Sequence, residues 1–460
     1  MTHGRDSSPM ALRLLHYSDL ENAYDDADHI GRLAGCIDRL RDDETLVVGT
    51  GDNTAPGTLS LVTEGRQALD FFDAVEPDFD TFGNHDFDYG VERTRELVRT
   101  SPQTWLTANI RESGARFAVD AGTASHVIHE LGGKRVGIFG LTTPKTPALN
   151  PNVTGLDFLD PLQTARTAVS TLRDLDADYI VALSHLGQGD RELATELDID
   201  VILGGHVHSE RVEQIDGTLV TRPGVNGRVL LEIELGSELT VSRHRIVDAP
   251  RDNETAEAMR YMMLTTGLDT TVGTVETAIE RTEATTFHGE SRIGNFVADA
   301  YRWATDADIG LQNSGGIREG DSLVGDVTVA DLVNVIPFQE NVAVAELSGA
   351  ELFDVFRQAH DATIGFGEPD WWHAHISGAE LVWNRAERDV ESITVGGDTV
   401  SEDATYTVAT TEYLLYTNQE FPALHEEHRV ETDDVQYEVL VDYAREFGID
   451  PEIEGRITRQ

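Results

Sequence analysis

The stretch "VILGGHVHSE", residues 201–210, ends a short apolar run in two glycines and then sets His206 and His208 one residue apart. Alternate residues of an extended chain share a face, so both imidazoles project from the same side of a strand end. Such a pair serves as metal ligands or as a solvated surface pair, and the two residues alone leave both open. Four other apolar runs in the first half stop at residues of the same chemistry. "HYSDLEN" ends in Asp19 and Glu21, and "VVGTGDN" in Asp52. "DTFGNHDFD" ends in Asn84, His85, Asp86 and Asp88, and "VALSHLGQG" offers His185. Asp, Asn and His together suit a pair of borderline divalent ions such as Mn2+, Zn2+, Co2+ or Fe2+. A carboxylate shared between ions roughly 3.5–4 Å apart would let a bridging water ionise near neutral pH. Taken singly, each motif also reads as a turn or a surface residue. Five polar strand ends in this order favour the metal site.

For these groups to meet, their strands must share a sheet, with the carboxyl ends on the edge where open α/β sheets place their sites. The first half fits that requirement. Apolar runs ("ALRLLHYS", "TLVVGTG", "KRVGIFGL", "DYIVALSH", "DVILGGH") alternate with helical patterns such as "HIGRLAGCIDRLRDD" and "DPLQTARTAVSTLRDL". The class expected is α/β, or α+β layered. A β-rich stretch, "TLVTRPGVNGRVLLEIELGSELTVSRHRIV", closes this domain, which is placed at residues 10–248. Residues 249–270 read as a connecting helix, and residues 271–460 as a second α/β domain. That domain holds a helix "IGNFVADAYRWATDA", a glycine-rich turn "NSGGIREG" and a β-rich end.

Two domains are also what 460 residues imply. The formal charge of −48 comes from 83 acidic against 35 basic residues, of which only Lys134 and Lys145 are lysine. The carboxylates are spread along the chain, which reads as a solvated acidic surface suited to a salt-rich cytosol, where self-repulsion is screened. Duplex nucleic acid is excluded as a partner, since phosphate backbones need clustered positive charge. Cys36 is the only cysteine. It therefore supports neither an intrachain disulfide nor a thiolate metal site, and it reads as a small core residue of a helix. The first residues lack the apolar region of a secretory signal, and no run approaches the roughly 18 apolar residues of a membrane span. The expectation is a cytoplasmic protein with no membrane partner, its oligomeric state open.

The order D-x-[H], G-D-N, G-N-H-[DE], a lone His, then G-H-x-H resembles the calcineurin-like metallophosphoesterases. "GESRIGNFVADAYR", "LQNSGGIR" and "NVIPFQENVAVAELSGAEL" sharpen the likeness to the 5′-nucleotidase branch, over residues 12 to 455. The resemblance implies an N-terminal metallophosphoesterase β-sandwich flanked by helices, followed by a C-terminal 5′-nucleotidase-type α/β domain. It implies two divalent ions, one held by Asp19, Glu21, Asp52 and His208, the other by Asp52, Asn84, His185 and His206. His85 matches the catalytic histidine and Asp88 the carboxylate that orients it. Asn313 and Arg318 match residues that approach the substrate, and Phe338 and Phe421 the two rings that sandwich a nucleobase. The implied reaction removes phosphate from a nucleoside 5′-monophosphate by attack of a hydroxide bridging the two metals. The same branch contains UDP-sugar and 2′,3′-cyclic nucleotide phosphodiesterases, and a non-catalytic nucleotide-binding protein on a decayed scaffold is a further alternative.

Three positions depart from the family pattern. Glu21 stands where the family carries histidine, a change that favours Mn2+ or Mg2+ over Zn2+ if the carboxylate ligates. Phe287 stands where the family has arginine, with Arg281 and Arg292 nearby. "TNQEF" replaces the family's G-G-D-G before the second ring. Trp371 and Trp372 read as packing.

Overall fold

The leucine- and valine-rich runs of the first half form two six-stranded sheets. The first runs, edge to edge, Thr240–Arg245, Val229–Leu235, Leu12–Tyr17, Thr45–Gly49, Phe79–Thr81 and Thr104–Leu106. The second runs Arg211–Ile215, Thr218–Arg222, Val201–Gly204, Tyr179–His185, Lys134–Thr142 and His126–Leu131. These strands belong to a computed structural model that describes residues 12–150, 152–360, 371–417 and 420–460. The first eleven residues, read above for a secretory signal, and Asn418 and Gln419 of "TNQEF" lie outside the described residues.

The central strands of both sheets are parallel and nearly level. Tyr17 pairs with Gly49 and Val48 with Phe79 in one sheet. In the other, Ser184 pairs with Gly204 and His185 with Thr142. Their carboxyl ends therefore reach the same edge of each sheet. Between the sheets, Leu14, Leu46, Val48 and Phe79 pack against Ile138, Val181, Leu183, Val201 and Leu203 in one buried cluster. Each such side chain contributes about 1.5–3 kcal/mol by leaving water. Alternation continues these inward rows into polar residues: His16 follows Leu12 and Leu14, and His185 follows Val181 and Leu183. The opposite face of the second sheet carries Ile180, Ala182 and Ile202 against Ala165, Val169 and Leu172 of helix Pro161–Asp174.

Helix Ala27–Leu40 starts at Asp26, whose carboxylate accepts from the Asp28 and His29 N–H groups, and it buries Ile30, Leu33, Cys36 and Ile37. Helix Asn253–Thr265 lies against it. A Cβ at Gly35 would overlap the Pro250 carbonyl, so the approach of that segment needs glycine there. The chain divides between Thr266 and Gly267 into two compact units, and helix Asn253–Thr265 belongs to the first.

The second unit is built on a five-stranded sheet in the order Ala374–Ser377, Ile309–Asn313, Thr405–Thr411, Asn341–Ser348 and Arg429–Val435. Helix Arg292–Thr305 is capped by the Ser291 hydroxyl, which accepts from the Gly294 N–H, and it packs Phe296, Val297 and Tyr301 into a core shared with Val342 and Ala409. A second core gathers Leu352, Phe356, Trp372 and Trp383. No helix among the described residues is long and apolar enough to cross a membrane.

Candidate metal centre

Parallel register brings the polar strand ends of the first unit into two groups. Ligand-capable atoms of Asp52, His185 and His206 lie within 4.8 Å of one another, as do those of Asp19, Glu21 and His208. His206 and His208, which leave the same strand end, fall into different groups. Asp19, Asp52 and His185 are almost wholly buried, and Glu21 and Asn84 are 8% and 5% exposed. His206 is half-buried and His208 exposed.

Several of these atoms are placed as ligands are. His185 Nδ1 lies 2.7 Å from the Thr50 carbonyl. A carbonyl only accepts, so Nδ1 carries the proton and, in the neutral ring, Nε2 keeps its lone pair. That Nε2 lies 2.9 Å from Asp52 Oδ2 yet makes no hydrogen bond, and His208 Nε2 and Glu21 Oε1 stand 2.9 Å apart in the same way. Neither pair is aligned as a hydrogen bond, which leaves lone pairs that a cation could take. Asn84 Oδ1 is likewise buried without a hydrogen bond. Buried polar atoms are otherwise bonded in folded proteins. Three acidic groups, an amide oxygen and three imidazoles, with Glu21 Oε1, Asn84 Oδ1 and His185 Nε2 buried and unbonded among them, fit divalent cations.

The backbone is bent to achieve this. Asp19, Glu21, Asp52 and His206 all have positive φ, of 49°, 42°, 52° and 71°, and strained residues of this kind cluster at functional sites. The motif glycines permit the close packing. A Cβ at Gly83 would overlap Asp52 Oδ1, and one at Gly51 would overlap the Gly83 N–H and stand 2.7 Å from His185 Nδ1. Asp52 Oδ1 accepts from the His85 N–H at 2.7 Å, and Asp19 Oδ1 accepts from the His206 N–H at 3.0 Å. One carboxylate thus ties two strand ends in each case.

His85 Nδ1 lies 2.9 Å from Asp88 Oδ2. Burial alone would lower the pKa of this imidazole, but the Asp88 and Asp52 carboxylates outweigh it and hold the ring above its ordinary value. Asp88 is held in turn by Asn150, whose amide donates to Asp88 Oδ1 and to the Asn84 carbonyl, both at 2.8 Å.

Asp86, which the sequence reading placed only among the polar strand ends, and Asp80 and Asn150, which it did not name, organise the site. Asp86 accepts from the Asp52, Asn53, Thr54 and Gly83 N–H groups and from the Thr54 hydroxyl, at 2.8 to 3.2 Å. Asp80 accepts from Gly51 N–H and Asn53 Nδ2. The signal for Asp80 was present, a carboxylate in the middle of the short buried strand Phe79–Thr81. Nothing local marks Asn150.

In the second unit, Asn313 ends strand Ile309–Asn313, and its amide donates to Glu420 Oε1 at 2.9 Å. The Arg318 guanidinium lies over the Phe338 ring, 4.9 Å from its centre, and Phe338 is partly buried. Phe421 is placed otherwise than a base-stacking ring requires. It is 0% exposed, packed in the core with Leu414, Leu415 and Leu424, so neither face is open. Phe287 stacks on Trp371 with centroids 4.0 Å apart. Arg281 and Arg292, the arginines near the position it fills, are bonded to backbone carbonyls of Asp321 and Asn334 and of Pro451 and Thr277. Trp372 is buried and donates its indole N–H to the Ala374 carbonyl at 2.8 Å.

Two family models match the chain: calcineurin-like phosphoesterase over residues 12–210, and the 5′-nucleotidase C-terminal domain over residues 271–426. The chain is 24% identical to a trifunctional nucleotide phosphoesterase protein of Bacillus subtilis, over 97% of its own length and 35% of that protein's. It is 23% identical to an apyrase of Tabanus yao, over 94% of its length and 91% of the apyrase. It thus spans about a third of the first relative and nearly all of the second. Its fold matches the crystal structure of a 5′-nucleotidase precursor from Thermus thermophilus, with TM-score 0.73, 24% identity, and 98% and 99% of the two chains covered. With the two models in this order, and buried Asp, Asn and His atoms converging at the strand ends that the first one spans, the chain belongs to the calcineurin-like phosphoesterases that carry a 5′-nucleotidase C-terminal domain, a family of metal-dependent phosphoric ester hydrolases.

Proposed function

We propose that the chain removes phosphate from nucleoside 5′-monophosphates, using two divalent ions in its first unit and a nucleotide pocket in its second. The observation that carries this reading is the pair of convergent groups, Asp19–Glu21–His208 and Asp52–His185–His206, in which Glu21 Oε1 and His185 Nε2 are buried without a hydrogen bond. Asp19, Glu21, His208 and a shared Asp52 would hold one ion, and Asp52, Asn84, His185 and His206 the other. Such ions, when bound, supply Lewis acidity toward phosphoryl oxygens and lower the pKa of water.

The chain's own residues do the rest. Thr50 fixes the His185 tautomer through its carbonyl, and the His85 N–H fixes Asp52. His85, kept protonated by Asp88, presents a positive charge whose second nitrogen can stabilise phosphoryl oxygen or protonate the departing ribose oxygen. Asn150 holds Asp88 and the Asn84 backbone together, so that the acid and the ligand loop move as one. In the second unit the Arg318 fork is suited to carboxylate or phosphate oxygens, and the Phe338 ring to stacking.

A second reading, cleavage of a nucleotide diester or pyrophosphate, is favoured by one observation. Phe421 lies in the core and Phe287 stacks on Trp371, so the base pocket differs from the family pattern while the ligand groups converge. The test is phosphate release in molar potassium chloride with Mn2+, from AMP, UDP-glucose and a 2′,3′-cyclic nucleotide, with Asp52→Asn as blank. Release from AMP that disappears in the variant supports the first reading. Cleavage of only the other two substrates supports the second. No metal-dependent turnover of any of them would refute both.

A further inference from the structure

Glu21 makes the two ligand groups chemically unlike. Asp19, Glu21 and His208 offer two carboxylates and one imidazole, whereas Asp52, His185 and His206 offer one carboxylate and two imidazoles. They also differ in access to water. The His208 side chain is 53% exposed, while that of His185 is fully buried. The first group can therefore complete a six-coordinate shell with water. The second, with two imidazoles, is the nitrogen-rich setting that suits zinc. Glu21 is committed to its place: it is 8% exposed, its φ is positive, and its N–H bonds the Asp52 carbonyl at 3.4 Å. Its Oε1 has no hydrogen bond.

We propose that the two sites take different ions, with manganese at Asp19–Glu21–His208 and zinc at Asp52–His185–His206. Zinc outranks manganese at any nitrogen or oxygen site, so selection rests on how far it outranks it. Two imidazoles widen the zinc advantage at the second site, and two carboxylates narrow it at the first. Supplied with one zinc and one manganese, the chain has least free energy when zinc takes the nitrogen-rich site and manganese keeps the other. Glu21 is thus a determinant of metal specificity. The inference rests on the dinuclear reading above.

The test uses the full chain in molar potassium chloride, stripped of metal and then given one equivalent each of zinc and manganese. Bound metal is counted after desalting, and manganese is examined by electron paramagnetic resonance. The expected result is one ion of each per chain, with the resolved hyperfine pattern of a manganese ion beside diamagnetic zinc. Di-zinc chains with free manganese, or the broadened signal of a coupled manganese pair, would overturn the inference. Glu21→His makes the first site nitrogen-rich, and manganese retained in the mixture should fall about tenfold or more. Unchanged retention would remove Glu21 as the determinant. Saturation with manganese alone tests the reading beneath: two ions per chain upholds it, and fewer than two overturns both.

Discussion

Asp86 joins the loop after Thr45–Gly49 to the loop after Phe79–Thr81, and replacing it by asparagine measures what that joint is worth. Its Oδ1 accepts from the Asn53 and Thr54 N–H groups and the Thr54 hydroxyl, and its Oδ2 from the Asp52 and Gly83 N–H groups. Burial and the nearby Asp52 carboxylate raise its pKa, and the Gly83 and Thr54 donors oppose that. Five donors surround the carboxyl group; four are backbone N–H groups that cannot accept, and the Thr54 hydroxyl could take a proton from Oδ1 only by giving up its own bond to it. The group is therefore ionised. In Asp86→Asn one oxygen becomes an NH2 group, and in either orientation that group faces at least two N–H donors. At about 1–3 kcal/mol for each buried donor left unpaired, the variant should lose about 2–6 kcal/mol.

The loss should reach the site in either orientation: at the Oδ2 position the orphaned donors belong to Asp52 itself and to Gly83, one residue before Asn84, and at Oδ1 to Asn53 and Thr54, which follow Asp52 in the chain. Manganese affinity should fall by about 10–100-fold, as it does when groups that orient ligands are removed. Thermal denaturation in molar salt and a manganese binding isotherm read the two effects separately. Stability within about 0.5 kcal/mol of the parent, with unchanged affinity, would mean that Asp86 is neutral in the native protein. The argument from five donors would then be wrong.

Removing metal should destabilise the first unit, by about 2.7 kcal/mol per site when free metal had stood 100-fold above Kd. Asp19→Asn should reverse the order: less stable than the parent with manganese, more stable in chelator, since burial and the Asp52 carboxylate hold the Asp19 pKa up, to about 7. Melting curves that do not cross would refute this. Burial pushes the His16 pKa down to about 3 from 6.5. The unfolded chain therefore binds a proton that the fold refuses, and this contribution is full above pH 6.5 and lost as pH falls toward 3. At about pH 5 the loss is about 2 kcal/mol. His16→Gln should flatten the stability–pH curve there by that amount, and parallel curves would count against it. Phe421→Ala should cost about 3–5 kcal/mol as a core truncation, whereas Phe338→Ala should raise KM for a nucleotide with little change in melting temperature. Exchange of those two phenotypes would restore Phe421 as a stacking ring. With a charge of −48, the chain should lose its circular dichroism signal on transfer from molar to millimolar salt, and a constant signal would refute the salt-adapted reading of its surface.

What the sequence disclosed about the site follows from period and register. Once apolar runs of four to seven residues alternate with helices, parallel pairing follows, and their polar ends have one edge to reach. Asp19, Asp52, Asn84, His185 and His206 are legible for that reason. Glycine supplied a second signal, since "GDN", "GNH" and "GGH" mark backbones that pass too close to a neighbour for a Cβ, as at Gly51 and Gly83. Contacts set by tertiary packing were not legible. Asn150 reaches Asn84 and Asp88 from more than sixty residues away, with no periodicity to announce it. The Glu420 bond to Asn313 joins a strand end to a residue more than a hundred positions away, a separation that only the folded sheet decides. Phe421 carries the same side chain whether it stacks on a base or fills a core, and burial alone tells which.

Several irregular features of the first unit lie at the ligand edge. Non-glycine residues in the left-handed region cost about 1 kcal/mol or more each, and Asp19, Glu21, Asp52 and His206 are four of them. Leaving Glu21 Oε1, Asn84 Oδ1 and His185 Nε2 buried and unbonded adds cost on the scale of a lost hydrogen bond apiece. Together these approach the roughly 5–15 kcal/mol by which a whole domain is stable. The sandwich core beside them, from Leu14 to Leu203, is regular and apolar. The sandwich supplies the free energy that holds the ligand edge in its bent form. The ions, by binding only the folded arrangement, return part of what that form costs. Activity and stability are therefore coupled through the same atoms. A substitution that relaxes the edge should make the chain easier to fold without metal and poorer at holding it.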